Sequence, residues 1–252
     1  MVRAVIYAVF LVLWLLVWLL PVSFAHFLRK KTWRNDMLRR VCGGILRIGN
    51  VHVSVIGEIP IERPVLLVSN HISYLDVPII ASVIDARFTP KSEIATWPFI
   101  GYCCRLFDSV FITRNAKSIE QGKQALIQAF REGTAISLFP EATTGDGVHM
   151  LPFKPAFFDV AVVEGDNIPV IIQPLAIRYT KISGLPIDKG QWPSVAWYGD
   201  MALLPHLINF LGIGRVDVEL HMLPAIIPQA GQDRKQLAKA AESAIEQVLT
   251  NR

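Results

Sequence analysis

Between Ala4 and Phe27 the chain carries 24 consecutive residues without a formal charge, dominated by Leu, Val and Trp, and Arg29, Lys30, Lys31 and Arg34 follow at once. At about 1.5 Å per residue such a run is long enough to cross a bilayer. Pro21 divides it. Two arrangements are therefore open: a kinked span, or a hairpin lying in one leaflet with a second helix from about Thr32 to Ile48. From Arg29 to Arg47 there are seven Lys or Arg against one acid, Asp36, a local charge of +6. By the positive-inside rule the remainder of the chain faces the cytoplasm. Ser23-Phe24-Ala25 has the small-x-small look of a signal-peptidase site. Against cleavage stand the single early cation Arg3, the length of the run with Trp14 and Trp18 inside it, and the basic cluster beyond.

The chain has 252 residues, 52% apolar and 18% charged, against about 45 to 50% and about 25% in ordinary soluble domains. The excess lies mainly at the N-terminus, which suggests membrane-anchoring helices over residues 1–48 and one α/β domain over 49–252. The net charge is +4. Its basic residues cluster beside the apolar run and not across a face with interleaved aromatics, so no nucleic-acid partner is expected. Cys42, Cys103 and Cys104 form neither a disulfide framework nor a metal-ligand spacing.

Val51 to Gly57 alternates as a half-buried strand with His52 on its solvent side. Val65-Leu66-Leu67-Val68 is a continuous apolar run suited to a buried strand, and Leu75 to Ile84 reads as a helix. His71 falls at the junction, where open α/β sheets usually bind ligands. Asp76 follows five residues later. A neutral imidazole takes a proton from an alcohol at neutral pH when a partner holds its tautomer, and Asp76 is a candidate partner. On one helix the two would point about 140° apart, so they meet only if His71 precedes the helix. Ser73-Tyr74-Leu75-Asp76 also fits a capping box, with Ser73 as N-cap and Asp76 at N3. Both readings of Asp76 stand at this point.

Two further strand ends carry polar groups. Val110-Phe111-Ile112 is a short strand ended by Arg114, and Lys91 follows Thr89-Pro90; each is a candidate contact for an anionic head group, or a solvated charge. Asn115 to Glu132 reads as an amphipathic helix stopped by Gly133. Thr134 to Phe139 is a third strand, running into Pro140-Glu141-Ala142-Thr143-Thr144-Gly145-Asp146-Gly147. That loop is neither a P-loop nor an EF-hand. Leu151-Pro152-Phe153-Lys154 leads to a helix ending near Glu164, a strand over Pro169 to Ile177, a short apolar helix at Ala202 to Leu211 and a terminal helix over Gln232 to Asn251.

NHISYLD at 70–76, SVFITR ending at Arg114, FPEATT at 139–144 and IPVIIQPLAI at 168–177 resemble, in that order, the four blocks of the glycerolipid acyltransferases, which include the 1-acylglycerol-3-phosphate acyltransferases. The resemblance covers roughly residues 50–180. It implies an α/β fold with a mixed sheet flanked by helices, an acyl-CoA or acyl-carrier-protein donor, a lysolipid acceptor, no bound cofactor or metal, and catalysis at the membrane. It places the catalytic pair on His71 and Asp76 and substrate contacts on Arg114 and Glu141, with Thr143, Thr144, Lys91 and Lys154 beside them. Ala142 and Thr144 stand where phosphatidate-making members usually have glycine and arginine. KSEIATWPFIG at 91–101, TTGDG at 143–147 and LPFK at 151–154 are more similar to a bacterial branch that includes lyso-ornithine lipid acyltransferases, which implies the cytoplasmic face of a bacterial inner membrane.

On this reading His71 deprotonates the acceptor hydroxyl, which attacks a thioester, and backbone N–H groups near the helix start stabilise the oxyanion. Two other classes are open: a non-catalytic lipid-binding protein of the membrane surface, and a lipid hydrolase using Ser69 or Ser73, although neither serine lies in a G-x-S-x-G elbow.

Overall fold

The computed structural model describes residues 2–59, 62–112, 116–162 and 170–250. In chain order they form α1 (Val2–Phe27), α2 (Lys31–Ile48), β1 (Val51–Ile56), β2 (Val65–Ser69), α3 (Asp76–Val83), β3 (Arg87–Phe88), α4 (Pro98–Leu106), α5 (Ala116–Arg131), β4 (Ala135–Leu138), β5 (Ile171–Ile182), β6 (Leu185–Pro186), α6 (Leu203–Phe210), β7 (Val216–Met222) and α7 (Arg234–Thr250). The strands make one mixed sheet in the order β1-β7-β5-β2-β4-β3, with β6 paired to β5. The strand β2 is the apolar run at Val65, buried throughout because it lies between β4 and β5 with both faces covered. Since β2, β3 and β4 are mutually parallel, their carboxyl ends leave the sheet at one edge. The sense changes at β5, which runs parallel to β2 and antiparallel to β7.

Alternation along β2 and β4 sends side chains to two cores. Val65, Leu67 and Ala135 pack with Ile79 and Ile80 of α3 and with Cys42 and Leu46 of α2. Leu66, Val68, Ile136 and Leu138 face Leu126 and Phe130 of α5, Phe158, and Leu237, Ala241 and Ile245 of α7. The sheet is therefore the middle layer of three, as a sheet apolar on both sides requires.

The first two helices fold back on each other through a turn at Arg29, whose φ is 53°. Trp14 Nε1 donates to Val41 O at 3.1 Å, and a Cβ on Gly44 would collide with the same indole. Pro21 lies inside α1 without ending it. One stripe of α1 is covered for most of its length: Ala4 approaches Gly212 just beyond α6, Leu15, Trp18, Leu19 and Val22 pack with Leu38 and Val41 of α2 and Leu106 of α4, and Ala25 is buried. The opposite stripe, Val5, Val9, Val12, Leu16, Leu20 and Phe24, is 52–77% exposed. The suspected cleavage site is part of this packing, with Ser23 and Tyr102 hydroxyls 2.6 Å apart.

Three expected elements differ. Val110 to Ile112 is no strand but an edge segment held by Val110 N to Phe88 O and Ile112 N to Pro90 O bonds and one bridge to Lys91. Beyond Lys154 the helix is a single 3-10 segment, Pro155–Ala161. The strand expected over Pro169 to Ile177 runs on to Ile182 because β7 pairs with its second half.

Candidate active site

The backbone leaves β2 at Ser69 and makes a short loop before α3, and that loop is tied at every residue. Asn70, buried at the end of the strand, donates from Nδ2 to Ile177 O and accepts from Ile177 N at 2.9 and 2.8 Å, which locks the loop to β5. His71 therefore precedes the helix, and its Nδ1 lies 2.8 Å from Asp76 Oδ2. Asp76 is fully buried, and a buried carboxylate needs a full set of donors. It has them: Oδ2 also accepts from the N–H of Ile72 and Ser73 at 2.7 and 2.9 Å, and Oδ1 accepts from the Tyr179 hydroxyl at 2.8 Å. The two readings of Asp76 merge here, because one carboxylate both ties down the loop and holds the imidazole. The capping box itself is only half formed. The acid reaches back to Ser73 N–H, but Leu75 occupies the N-cap and the buried Ser73 hydroxyl makes no well-formed hydrogen bond among the described residues.

The third strand end closes the site from the other side. The Phe139 ring stacks on the His71 imidazole, with centroids 3.9 Å apart and planes 13° from parallel. Glu141, also buried, accepts from His71 N at 2.7 Å and Leu151 N at 2.9 Å, while Gly145 N donates to His71 O at 2.8 Å. Both backbone groups of His71 are thus held by the 139–145 loop. Burial pushes Glu141 up to about 7, against the pull of those two N–H bonds. Ala142 has a φ of 61°, a left-handed conformation that glycine adopts without cost and alanine does not; this is the position where glycine is usual in the family pattern.

One family model, described as acyltransferase, matches residues 50–178. That interval holds His71, Asp76, Glu141 and all of β1 to β4. The chain belongs to the acyltransferase family. It is 32% identical over 236 residues to a lyso-ornithine lipid O-acyltransferase of Brucella abortus, covering 92% of this chain and 88% of that one. It is 28% identical over 238 residues to a 1-acyl-sn-glycerol-3-phosphate acyltransferase of Neisseria gonorrhoeae, covering 88% and 89%. The crystal structure of the 1-acyl-sn-glycerophosphate acyltransferase PlsC from Thermotoga maritima shares the fold, with a TM-score of 0.70 at 19% identity over 98% of this chain and 95% of that one.

Of the remaining expected site residues of this acyltransferase, those that are described lie on segments at the carboxyl ends of β3 and β4. Lys91 is exposed where β3 continues toward its bridge with Ile112. Arg114 lies outside the described residues. Lys154 is exposed, and its N–H donates to Pro140 O beside the Glu141 turn. Thr143 is exposed and Thr144 half-buried in that turn. Ile72 and Ser73 N–H groups, candidates for an oxyanion site, are spent on Asp76. Ser69 is fully buried with its hydroxyl donating to Asn70 O, and Ser73 is equally enclosed, so neither is placed as a nucleophile. Among the described residues no cluster of three or more His, Cys, Asp or Glu is arranged to hold a metal.

Three participants were not visible in the sequence: Tyr179, Phe139 and the pair Tyr74–His206. Tyr74 Oη lies 3.0 Å from His206 Nδ1, and His206 Nε2 lies 3.1 Å from Ala196 O. A carbonyl only accepts, so Nε2 carries the proton and Nδ1 accepts from Tyr74. Burial raises the Tyr74 hydroxyl and lowers His206, keeping both neutral. The bond links α6 to the loop that carries His71.

Proposed function

We propose that this acyltransferase moves a fatty acyl group from a thioester, acyl-CoA or acyl-carrier protein, to the free hydroxyl of lyso-ornithine lipid at the cytoplasmic face of a bacterial inner membrane. The observation that carries the reading is the His71–Asp76 pair. The Asp76 carboxyl accepts from four donors, with His71 Nδ1–H as one of them, which leaves Nε2 to serve as the base. Nε2 takes the acceptor's O–H proton as the oxygen attacks the thioester carbonyl. The tetrahedral adduct then expels the thiolate, which takes that proton from the imidazolium; with a thiol pKa of about 8.5 it needs little acid assistance. No acyl-enzyme is formed. Ser69 and Ser73 are enclosed, and burial pushes the Cys103 thiol up to about 11.

The acceptor assignment rests on two supports: the relatives named for lyso-ornithine lipid, and Thr144 in place of an arginine that would face a phosphate. The hairpin is read as lying in one leaflet, since α1 has one stripe packed half-buried against α2, α4 and α6 while its opposite stripe is exposed. A purely lipid-binding role leaves the fully bonded His71–Asp76–Tyr179 array without purpose. Lipid mass spectrometry of cells lacking the protein tests the acceptor: ornithine lipid disappears and its lyso form accumulates. Intact ornithine lipid with accumulated lysophosphatidate would contradict the assignment.

A further inference from the structure

At the end of the sheet opposite His71, a cleft of about 200 Å³ opens between the start of α2, the end of α3 and the first residues of β3 and β4. Five cations line it, Lys31, Arg34, Arg39, Arg63 and Arg87, against Asp85 and Glu132, a net lining charge of +3. The pairs inside it are unequal. Glu132 Oε2 serves both Arg87 at 2.9 Å and Lys31 at 3.6 Å. Arg34, 6% exposed, is held from behind by Asp108, and Asn35 takes up Asp85. Partial burial lowers Arg63 from the usual guanidinium value, against the pull of Asp85.

The cleft's position argues for a membrane ligand. It adjoins the α1–α2 turn, where Phe27, Leu28 and Trp33 are 80%, 41% and 59% exposed. From there α1 runs along the domain to α6, which carries exposed Leu204 and Ile208 and is bonded to the catalytic loop through Tyr74. The apolar stripe of α1 thus connects the catalytic end of the sheet to the cationic end. When it rests on a leaflet, the cleft lies at head-group level.

The geometry points to a second lipid site: the Arg39–Arg63–Arg87 cleft binds the phosphate of an anionic phospholipid that is not a substrate, and so fixes the cleft end of the enzyme to the membrane. This rests on the one-leaflet reading of α1. The guanidinium groups supply the forked donors that a phosphate takes, while Phe27, Leu28 and Trp33 meet the acyl region beside it.

Flotation on vesicles tests it, using the full chain, phosphatidylcholine vesicles and phosphatidylcholine vesicles containing phosphatidylglycerol. The wild type is expected to bind both and to bind the anionic vesicles more tightly. Arg39→Glu/Arg63→Glu, both exposed positions, should lose that increment by roughly thirtyfold or more, the scale of two surface cations at about 1 kcal/mol each with two acids added. It should keep its binding to phosphatidylcholine and its acyl transfer in detergent. Lys181→Glu/Lys189→Glu, the same charge change at exposed sites elsewhere, should keep most of the increment. Equal losses in the two variants, or an undiminished increment in the first, would overturn the site. Displacement by inorganic phosphate at matched ionic strength would show that free phosphate is the ligand and overturn the lipid assignment. Binding to neither vesicle by the wild type would remove the one-leaflet reading and this proposal with it, whereas loss confined to the anionic increment leaves that reading intact.

Discussion

Tyr179 donates to Asp76 from β5, more than a hundred residues away in sequence, and among the described residues it is the donor to that carboxyl from outside the 70–76 loop. A hydrogen bond to a buried charge contributes about 1.5–3 kcal/mol. Tyr179→Phe keeps the ring and leaves Asp76 Oδ1 without that donor, so kcat should fall by roughly one to two powers of ten with little change in the KM for the thioester. An unchanged kcat would detach Tyr179 from the chemistry. Glu141 gives a pH prediction. Its folded pKa is raised from 4.5 to about 7, so between those values the folded state binds more protons than the unfolded one. Stability is then highest below pH 4.5 as far as this group is concerned, declines as pH rises to about 7, and is level above that, a change of about 3 kcal/mol at most. Glu141→Gln should lose one of the two backbone bonds and flatten that slope, measurable as melting temperature against pH; a variant with the wild-type slope would place the titration elsewhere. At this scale His71, Asp76 and Glu141, which the structure brings together, could be singled out as candidates because each follows a recognisable strand within a few residues. Tyr179 and Phe139 were hidden, since an aromatic in a strand announces packing and not a contact to a loop that another strand delivers.

Among the elements, the legible ones were those whose apolar pattern is decided locally. The strands β2 and β4 are continuous apolar runs, and α5 and α7 carry helical spacing that the two-sided sheet explains. Val110 to Ile112 has the same composition but lies at the sheet's edge, where no second neighbour completes a ladder. The extension of β5 and the strand β7 depend on each other, and nothing near Tyr179 in the chain signals a partner at Val218. Ala142 shows local pattern yielding to tertiary demand: its left-handed φ lets the turn hand Glu141 back to His71 N. For α1 the two stripes make separable predictions. Val9→Asp/Leu16→Asp places two acids on the exposed stripe, which on the one-leaflet reading costs about 2.5–3.5 kcal/mol each in hydrocarbon. The variant should be released by alkaline extraction of membranes that retain the wild type, yet stay active in detergent. Retention of the variant in the membrane pellet would contradict the assignment of that stripe.

Across the whole molecule, a mixed three-layer domain and a hydrophobic hairpin are built as one body. Residues Cys42 and Leu46 of α2 sit in the same core as β2 and α3, so the hairpin and the sheet share packing and are not joined by a linker. The overall class was readable from the apolar run and the succession of strand ends. The merging of its parts was not, because it depends on which stripe of α1 finds α2, α4 and α6. The arrangement places the end of an apolar helix, a loop bonded to α6 and a histidine paired through Nδ1 with a buried carboxyl near one edge of the sheet. The central claim is that His71 is the base in acyl transfer to lyso-ornithine lipid. Its most direct test is transfer of a labelled acyl group from a thioester to that lipid by membranes carrying either the wild type or His71→Ala at equal abundance. The account predicts labelled ornithine lipid with the wild type and none above background with His71→Ala, while the variant remains folded and membrane-bound. Near-normal turnover by His71→Ala would contradict it.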